Sequence, residues 1–240
     1  MRYFCALFMR VKMCNVIICI ETSTDVCSAA LCNGGNVLSY RLSGSGSNHS
    51  QLLPRYISEL TDECRERDWH IDCVAVSSGP GSYTGLRIGV SMAKGLAYGW
   101  GVPLVAVPTL EVLCESVLQR RQIQSGSLLC PMIDARRMEV YTALYDKKLA
   151  EISQVRAQVV AGSDWLPQKD VYYFGNGAEK CSSILNASNM HYISDIQADA
   201  RFMGRLAAKY IDEGKTADVA YFEPFYLKEF VAAPSHIKGL

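Results

Sequence analysis

The stretch from Cys73 to Trp100 constrains the fold more than any other part of this 240-residue chain. The apolar run Cys73–Ser77 predicts a buried strand, and Thr84–Trp100 has the apolar spacing of a helix. The loop between them consists of Ser78, Gly79, Pro80, Gly81, Ser82, Tyr83, Thr84 and Gly85. A buried strand that leads through a glycine-rich loop into a helix is the unit from which α/β domains are built.

The loop has two interpretations. Free backbone N–H groups and the helix dipole favour an anion at a helix N-terminus, and Gly79 and Gly81 allow close backbone approach. The alternative is a tight strand-to-helix turn without a ligand. The loop is not a P-loop, because no Gly-Lys-Ser/Thr follows it.

The helix after the loop is apolar or glycine around most of its circumference. Its polar residues form one stripe, namely Arg87, Ser91, Lys94 and Tyr98. Glycine costs a helix about 1 kcal/mol relative to alanine, so the four glycines from Gly85 to Gly99 indicate close approach of another element. We expect burial on more than one side, by the chain's own sheet and by a second protein. The alternative is a central core helix.

The remaining pattern predicts two α/β lobes, each with a mixed sheet flanked by helices. An Asn33-Gly34-Gly35 turn joins two strands as a hairpin. The predicted strands are Val16–Ile20, Ser28–Cys32, Asn36–Leu42, Leu104–Val107, Leu128–Asp134, Glu139–Tyr145, Val155–Val160 and Val171–Phe174. The predicted helices besides Thr84–Trp100 are Ser50–Arg65, Leu110–Gln119, Ala178–Leu185 and Asp199–Asp212.

Composition excludes several classes of protein. The net charge is zero and Lys and Arg are dispersed, so the isolated chain lacks the basic footprint of a tight nucleic-acid binder. Ten cysteines include no Cys-x-x-Cys pair and no zinc spacing, and most lie in apolar runs. We interpret them as reduced core thiols of a cytoplasmic protein. Residues 1–12 imitate a signal peptide weakly; we interpret them as an N-terminal extension, with Met13 as an alternative start.

The block Ser78–Leu96 resembles the signature of the TsaB (YeaZ) family, which acts in biosynthesis of threonylcarbamoyladenosine (t6A) on tRNA. It is also similar to the corresponding block of the catalytic sister family TsaD. We call Ser78–Gly85 the signature loop. Further matching motifs are Ile20–Asp25, His49–Pro54, Pro131–Tyr141 and Glu223–Leu227. The resemblance covers residues 13–230 and implies an actin/hexokinase/Hsp70-like (ASKHA) fold, with an N-terminal lobe at 13–108 and a C-terminal lobe at 109–240.

The resemblance implies a partner subunit rather than an enzyme. TsaD binds a metal through two histidines spaced i, i+4, and Thr109 and Leu113 stand at those positions here. None of the four histidines forms another pair at ligand spacing. Some relatives carry a peptidase-like (M22) label, but Ser78 and Ser82 lie in no Gly-x-Ser-x-Gly elbow. We predict no metal site, no protease site and no catalytic residue.

The expected nucleotide site is weak. Kinases of this fold place an aspartate after the first strand, where this chain has Glu21. Hydroxyls that remain available for a phosphate belong to Thr22, Ser23 and Thr24. In the second lobe the candidates are Gly175-Asn176-Gly177 and Asp134–Arg137, although Asp134 alternatively caps a turn. We expect no tightly bound cofactor, with ATP bound only weakly or at a subunit interface.

The family implies a heterodimer with TsaD through the two N-terminal helices, joined by the ATPase TsaE, with tRNA bound only through the complex. Alone, the chain is expected to form a homodimer, and no membrane is involved. The predicted interface residues are Leu52, Leu53, Tyr56, Leu86, Arg87, Val90 and Lys94. Arg87 and Lys94 face either a partner carboxylate or an anionic ligand. The alternative functions are an independent nucleotide-dependent enzyme of the ASKHA fold and, ranked lower, a nucleotide sensor.

Overall fold

The structure, a computed structural model, describes residues 16–44, 46 and 48–228. These residues form two five-stranded sheets and four α-helices. None of the helices in the described ranges is long and apolar enough to span a membrane. The predicted N-terminal extension, residues 1–12, lies outside the described residues.

The first sheet has the order β3-β2-β1-β4-β5. Its strands are β1 (Val16–Glu21), β2 (Ser28–Asn33), β3 (Asn36–Leu42), β4 (Ile71–Gly79) and β5 (Leu104–Pro108). The hairpin strands β2 and β3 run antiparallel on one side of β1, while β4 and β5 run parallel on its other side. All six residues of β1 are buried, because helices cover both faces of the sheet.

The second sheet repeats this plan with the order β10-β9-β6-β7-β8. Its strands are β6 (Leu128–Asp134), β7 (Glu139–Tyr145), β8 (Glu151–Val159), β9 (Val171–Phe174) and β10 (Met190–Ile193). Again a central strand, β6, has an antiparallel pair on one side and two parallel strands on the other. The two related lobes expected from the sequence are therefore related by topology.

The helices are α1 (His49–Glu66), α2 (Tyr83–Trp100), α3 (Thr109–Arg120) and α4 (Gly204–Asp212). Helices α1 and α2 pack on one face of the first sheet, and α4 packs on its other face. Helix α3 lies between the sheets: Val112 belongs to the core of the first sheet, and Leu113 to that of the second. The predicted mixed sheets with flanking helices are confirmed.

Two predicted elements near the C-terminus are wrong in part. The helix predicted over Ala178–Leu185 is only a 3₁₀ turn at Glu179–Cys181, because the serines and asparagine that follow favour local turns over continued helix. The helix predicted to begin at Asp199 starts as a 3₁₀ turn, and α4 begins at Gly204. Strand β10, a four-residue strand at the edge of the second sheet, was not predicted from the sequence.

The interpretation of the cysteines as core thiols is confirmed for the part of the chain that the structure describes. The eight cysteines there are all buried and free. Burial raises the pKa of Cys27 and of Cys73 to about 12. The lobe boundary at residues 108–109 stays a prediction; α4, from the predicted second lobe, packs on the first sheet.

Candidate functional site

Three glycines bring the signature loop and α2 against the polar turn that follows β1. A Cβ atom on Gly81 would lie 2.4 Å from the Ser23 carbonyl oxygen, and one on Gly85 would lie 2.1 Å from the Thr22 carbonyl oxygen. A Cβ on Gly89 would lie 2.2 Å from Thr22 Oγ1. Any side chain at these positions would collide with the turn, so the close approach predicted from the glycines occurs within the chain.

Hydrogen bonds fasten this contact. The backbone N–H of Ser82 donates to the Ser23 carbonyl at 2.7 Å, and the Thr22 hydroxyl donates to the Gly85 carbonyl at 2.7 Å. The Ser82 hydroxyl oxygen caps α2 by accepting the Gly85 N–H at 3.3 Å. N–H groups at the start of α2 are thus used by the chain itself, which favours the tight-turn interpretation of the loop over an anion site.

Glu21 ends β1 beneath the loop with 0% of its surface exposed. Its Oε1 accepts hydrogen bonds from the Ser23 backbone N–H at 2.7 Å and from the Ser77 hydroxyl at 3.0 Å. Its Oε2 is buried without a hydrogen-bond partner among the described residues. Burial raises the pKa of Glu21, and the nearby carboxylate of Asp199 adds to the shift.

The predicted nucleotide-contact residues are all closed over. Glu21, Thr22, Ser23 and Thr24 are buried under the signature loop and α2. A nucleotide would reach these side chains only after the loop moved, so they do not form an open phosphate site. The predicted weak binding of ATP stays a prediction.

Four of the predicted interface residues belong to the chain's own core. Leu53, Tyr56, Leu86 and Val90 are buried by the first sheet and its neighbours, because the apolar stripes of α1 and α2 face inwards. Their assignment as partner anchors is therefore wrong for this conformation. A Val90→Glu substitution would place a charge in the core and test folding rather than pairing. Leu52 is half-buried and Arg87 is exposed, so both remain available.

Lys94 binds a C-terminal segment whose position could not be predicted from the sequence pattern. We call residues 217–228 the strap. The Lys94 ammonium donates to the carbonyl oxygens of Ala220 at 3.1 Å and Phe222 at 3.0 Å. The Phe225 N–H donates to the Ser78 carbonyl at 2.7 Å, which closes the strap over the signature loop. The interface role predicted for Lys94 stays a prediction, and within the described chain its ammonium binds the strap.

The strap also completes an exposed cluster at the start of α2. The rings of Tyr83 and Tyr226 have centroids 4.8 Å apart. The guanidinium of Arg87 lies 5.3 Å from the Tyr83 ring centroid and donates to the Tyr83 hydroxyl at 3.2 Å. An open groove of about 410 Å³ follows this face of α2 past Ile88 and Ser91. Arg87 is thus positioned by aromatic rings and still exposed to solvent.

The candidate residues of the second lobe form hydrogen bonds between the turn at Gly175–Gly177 and the turn at Asp134–Arg137. Asn176 Oδ1 accepts the Asp134 N–H at 3.1 Å, and Asp134 Oδ1 accepts the Arg136 N–H at 3.1 Å. Lys180 binds the same Asp134 carboxylate. A Cβ on Gly175 would lie 2.4 Å from the Met132 carbonyl oxygen. The alternative in which Asp134 caps a turn is confirmed.

A family model described as "TsaD: tRNA N6-adenosine threonylcarbamoyltransferase" matches residues 44–230 of this chain. The chain belongs to the TsaD family. Several of its relatives are named as TsaB proteins. The "tRNA threonylcarbamoyladenosine biosynthesis protein TsaB" of Bacillus subtilis is 35% identical over 62% of this chain and 64% of its own length. The protein of the same name from Escherichia coli is 28% identical over 90% of this chain and 96% of its own length.

A solved structure agrees on the fold. YeaZ from Pseudomonas aeruginosa is 24% identical and superposes with a TM-score of 0.73, covering 89% of this chain and 100% of its own. The TsaB resemblance is confirmed by the relatives from Bacillus subtilis and Escherichia coli, and the predicted fold class, two mixed sheets flanked by helices, is confirmed by the topology and this superposition.

At the positions that the TsaD resemblance assigns to the metal-binding histidines, this chain has a hydroxyl and an aliphatic side chain. Thr109 and Leu113 lie one turn apart on α3, and both are buried. The Thr109 hydroxyl has no hydrogen-bond partner among the described residues. Within the described ranges, no group of three or more His, Cys, Asp or Glu side chains is placed to share a metal ion.

The three histidines in the described part of this TsaD-family chain lie apart, each with its own partner. His49 Nε2 is hydrogen-bonded to the Thr24 carbonyl at 2.9 Å, beside the turn that follows β1. His70 pairs with Asp72 at 3.2 Å, and His191 pairs with Asp170 at 2.7 Å. The prediction of surface or capping roles is confirmed for these three; His236 lies outside the described residues.

Proposed function

We propose that this chain is a non-catalytic subunit of the machinery that makes threonylcarbamoyladenosine on tRNA. In the proposed complex, TsaD transfers the threonylcarbamoyl group to adenosine 37, and TsaE acts on the pair. The relatives from Bacillus subtilis and Escherichia coli are both named as proteins of this biosynthesis. The match to the TsaD family over residues 44–230 supports a common ancestry with the transferase.

The observation that carries the non-catalytic role is the chemistry at Thr109 and Leu113. Leucine has no donor atom for a metal, and the Leu113 side chain packs in the core between α3 and the second sheet. The Thr109 hydroxyl is buried, and α3 offers no imidazole there. The transfer chemistry is therefore assigned to the partner and not to this chain.

The face of α2 that remains open is the proposed docking surface for TsaD. Arg87, Ser91, Gly95 and Tyr98 are exposed along it, with Tyr98 at 84% exposure. A Cβ on Gly95 or on Gly99 would meet nothing within 4 Å. The chain's own packing does not require these two glycines, and each lowers the stability of the helix relative to alanine. Close approach by a partner helix would explain why glycine occurs at both positions.

The same face is proposed to pair two copies when the chain is alone, since an isologous contact uses one patch twice. We propose that tRNA is bound through the complex, because this chain has no net charge and no basic cluster of its own. ATP, if held by this subunit, is proposed to bind at a subunit interface, because the turn Glu21–Thr24 is closed.

The experiment that tests the function is a reconstitution with and without this chain. It contains TsaD, TsaE, tRNA, threonine, bicarbonate and ATP, together with TsaC, the expected supplier of the threonylcarbamoyl group as its adenylate. Modified adenosine is measured by mass spectrometry. We expect product only when the chain is present, and no ATP consumption by the chain alone. Equal product without the chain would overturn the proposal, and ATP turnover by the isolated chain would favour the independent enzyme.

The docking surface has its own matched test. Ser91→Glu adds a charge to the exposed face of α2, whereas Ser183→Glu adds the same charge to an exposed turn of the second lobe. Binding to TsaD is measured by analytical ultracentrifugation. We expect Ser91→Glu to raise the Kd of the heterodimer at least about tenfold, because it places an unfavourable charge in the interface. A tenfold change in Kd corresponds to about 1.4 kcal/mol of binding free energy. Ser183→Glu should leave it unchanged; equal behaviour of both variants contradicts the assigned face.

A further inference from the structure

A cavity of about 170 Å³ lies between the lobes, apart from the closed turn at Glu21 and the groove on α2. Its walls come from the signature loop, the first turn of α3, the strands β7 and β8, and the strap. Leu110, Val155 and Phe225 supply apolar surface, while Glu111, Tyr145 and Glu151 supply polar groups. Because both predicted lobes and the strap contribute walls, the cavity forms only when the whole chain is folded.

Tyr145 is the most informative group in this wall. Its side chain is 1% exposed and lines the cavity, and no hydrogen bond to another described residue engages its hydroxyl. Tyr145 lines the cavity together with Glu111 and Glu151, and its pKa is raised first by burial and then by Cys114 and these two carboxylates.

Glu111 gives the cavity its charge. One of its oxygens, Oε2, accepts a hydrogen bond from the Tyr210 hydroxyl at 2.6 Å. Burial raises its pKa, and Lys209 and Lys215 act in the opposite direction from a distance. In the part of the chain that the structure describes, neither Glu111 nor Glu151 forms an ion pair. The cavity therefore presents two carboxylates and a phenolic oxygen, and none of the described cations is close enough to form an ion pair with them.

We propose that this interlobe cavity binds a small organic ammonium ion with a short apolar body. The ammonium donates hydrogen bonds to Glu111, Tyr145 and Glu151, and the apolar body packs against Leu110, Val155 and Phe225. A metal cation would leave the apolar wall unused, and an anion would face two like charges. An apolar cavity of about 150 Å³ accommodates benzene, so the body is limited to roughly one six-membered ring.

This site is independent of the proposed role in tRNA modification, so either can fail alone. The probe is benzylamine, titrated into the full chain at neutral pH while backbone amide shifts are followed by NMR. Benzyl alcohol and benzoate keep the aromatic ring but carry a neutral hydroxyl and a negative carboxylate in place of the ammonium group. Potassium chloride supplies a cation without an apolar body. We expect saturable binding of benzylamine with a Kd of about 1 mM, centred on the amides of Glu111, Glu151 and Phe225.

Variants connect the binding to the named groups. Glu111→Gln keeps an oxygen for the Tyr210 hydroxyl but removes the charge, and Tyr145→Phe removes only the hydroxyl. We expect each to weaken benzylamine binding, Glu111→Gln by at least about tenfold. Glu66→Gln, at an exposed position on α1, is the control and should leave binding unchanged.

Any of four results would overturn the site. Benzylamine could give no saturable shift, benzyl alcohol could bind equally well, or potassium alone could give the same shifts. The fourth is benzylamine binding that Glu111→Gln leaves unchanged. Thermal unfolding confirms that each variant is folded. If Glu111→Gln does not fold, the charge series of probes and Tyr145→Phe decide the question without it.

Discussion

At the scale of single residues, Glu21 shows how this chain departs from an open ASKHA cleft. Its carboxylate accepts hydrogen bonds from Ser23 and Ser77, with the second oxygen buried and unpaired in the described structure. A buried carboxyl without a cation is destabilised in its charged form. We infer that the residue closes the turn under the signature loop, and the same burial makes the stability of the fold depend on pH.

The pKa of Glu21 is raised from 4.5 in the folded chain, so the folded state holds the proton more tightly than the unfolded state. Its contribution to stability is therefore greatest at low pH and is lost as pH rises from 4.5 through the raised value. Glu21→Gln keeps the acceptor oxygen and abolishes this loss. The measurement is urea unfolding of both proteins between about pH 4 and pH 8.

We expect the free energy of unfolding of Glu21→Gln to rise relative to the parent as pH increases. Asp25→Asn, at an exposed position of the same turn, is the control and should follow the parent at every pH. The carboxylate of Asp199 and the hydroxyl groups of Ser23 and Ser77 face Glu21 and are unchanged in both variants. A constant difference between Glu21→Gln and the parent across the range would contradict the prediction.

At the scale of elements, α2 serves two neighbours with two sets of glycines. Gly85 and Gly89 let the turn after β1 reach the helix axis, whereas Gly95 and Gly99 face open space. The sequence indicated that all four glycines allow another element to approach the helix closely. It did not indicate which of them face this chain and which face outwards, because that depends on how α2 is rotated on the sheet.

A matched pair of substitutions separates the two sets. Gly89→Ala puts a methyl group into Thr22 and should lower the free energy of unfolding by about 1–3 kcal/mol. Gly95→Ala meets open space and should raise it by up to about 1 kcal/mol through helix propensity, while weakening the heterodimer with TsaD. Urea unfolding and ultracentrifugation measure the two effects; stabilisation by both substitutions would contradict the assigned packing.

The elements were largely predictable, while their contacts were not. Strands such as β1 and β6 follow from β-branched apolar runs between turn residues, and the β2–β3 hairpin follows from Asn33-Gly34-Gly35. An amphipathic pattern shows that one face of α1 is apolar but not whether that face packs inside the chain or on a partner. Leu53 and Tyr56 were therefore assigned to the wrong side.

Polar contacts between residues that are far apart in the sequence could not be predicted either. Lys94 and the carbonyl of Phe222 are 128 positions apart, and nothing in either segment encodes the pairing as a pattern. The same holds for Tyr145 and Glu111, which the fold brings to one cavity from β7 and α3. A single sequence specifies these contacts only through the packing of the intervening elements.

At the scale of the whole molecule, α3 and α4 join the lobes into one cooperative structure. Helix α3 places Val112 in the core of the first sheet and Leu113 in the core of the second. Helix α4 follows the second sheet in sequence yet packs on the first. We infer that neither lobe has a complete core without the other, so both should unfold together.

Buried cysteines supply reporters in each lobe for this test. Cys19 and Cys73 lie in the core of the first sheet, and Cys130 and Cys181 lie in the core of the second. Thiol labelling in increasing urea, read by mass spectrometry, should give one unfolding midpoint for all four. Leu185→Ala removes core volume from the second lobe alone and should lower the free energy of unfolding by about 2–5 kcal/mol.

In a single cooperative unit, Leu185→Ala shifts the labelling midpoints of Cys19 and Cys73 as far as those of Cys130 and Cys181. In two independent lobes, only the second pair would move. Ser183→Ala, at an exposed position of the same segment, should move none of them. A shift confined to Cys130 and Cys181 would show that the lobes unfold separately, and the interlobe cavity would then lie across a flexible junction rather than within one rigid core.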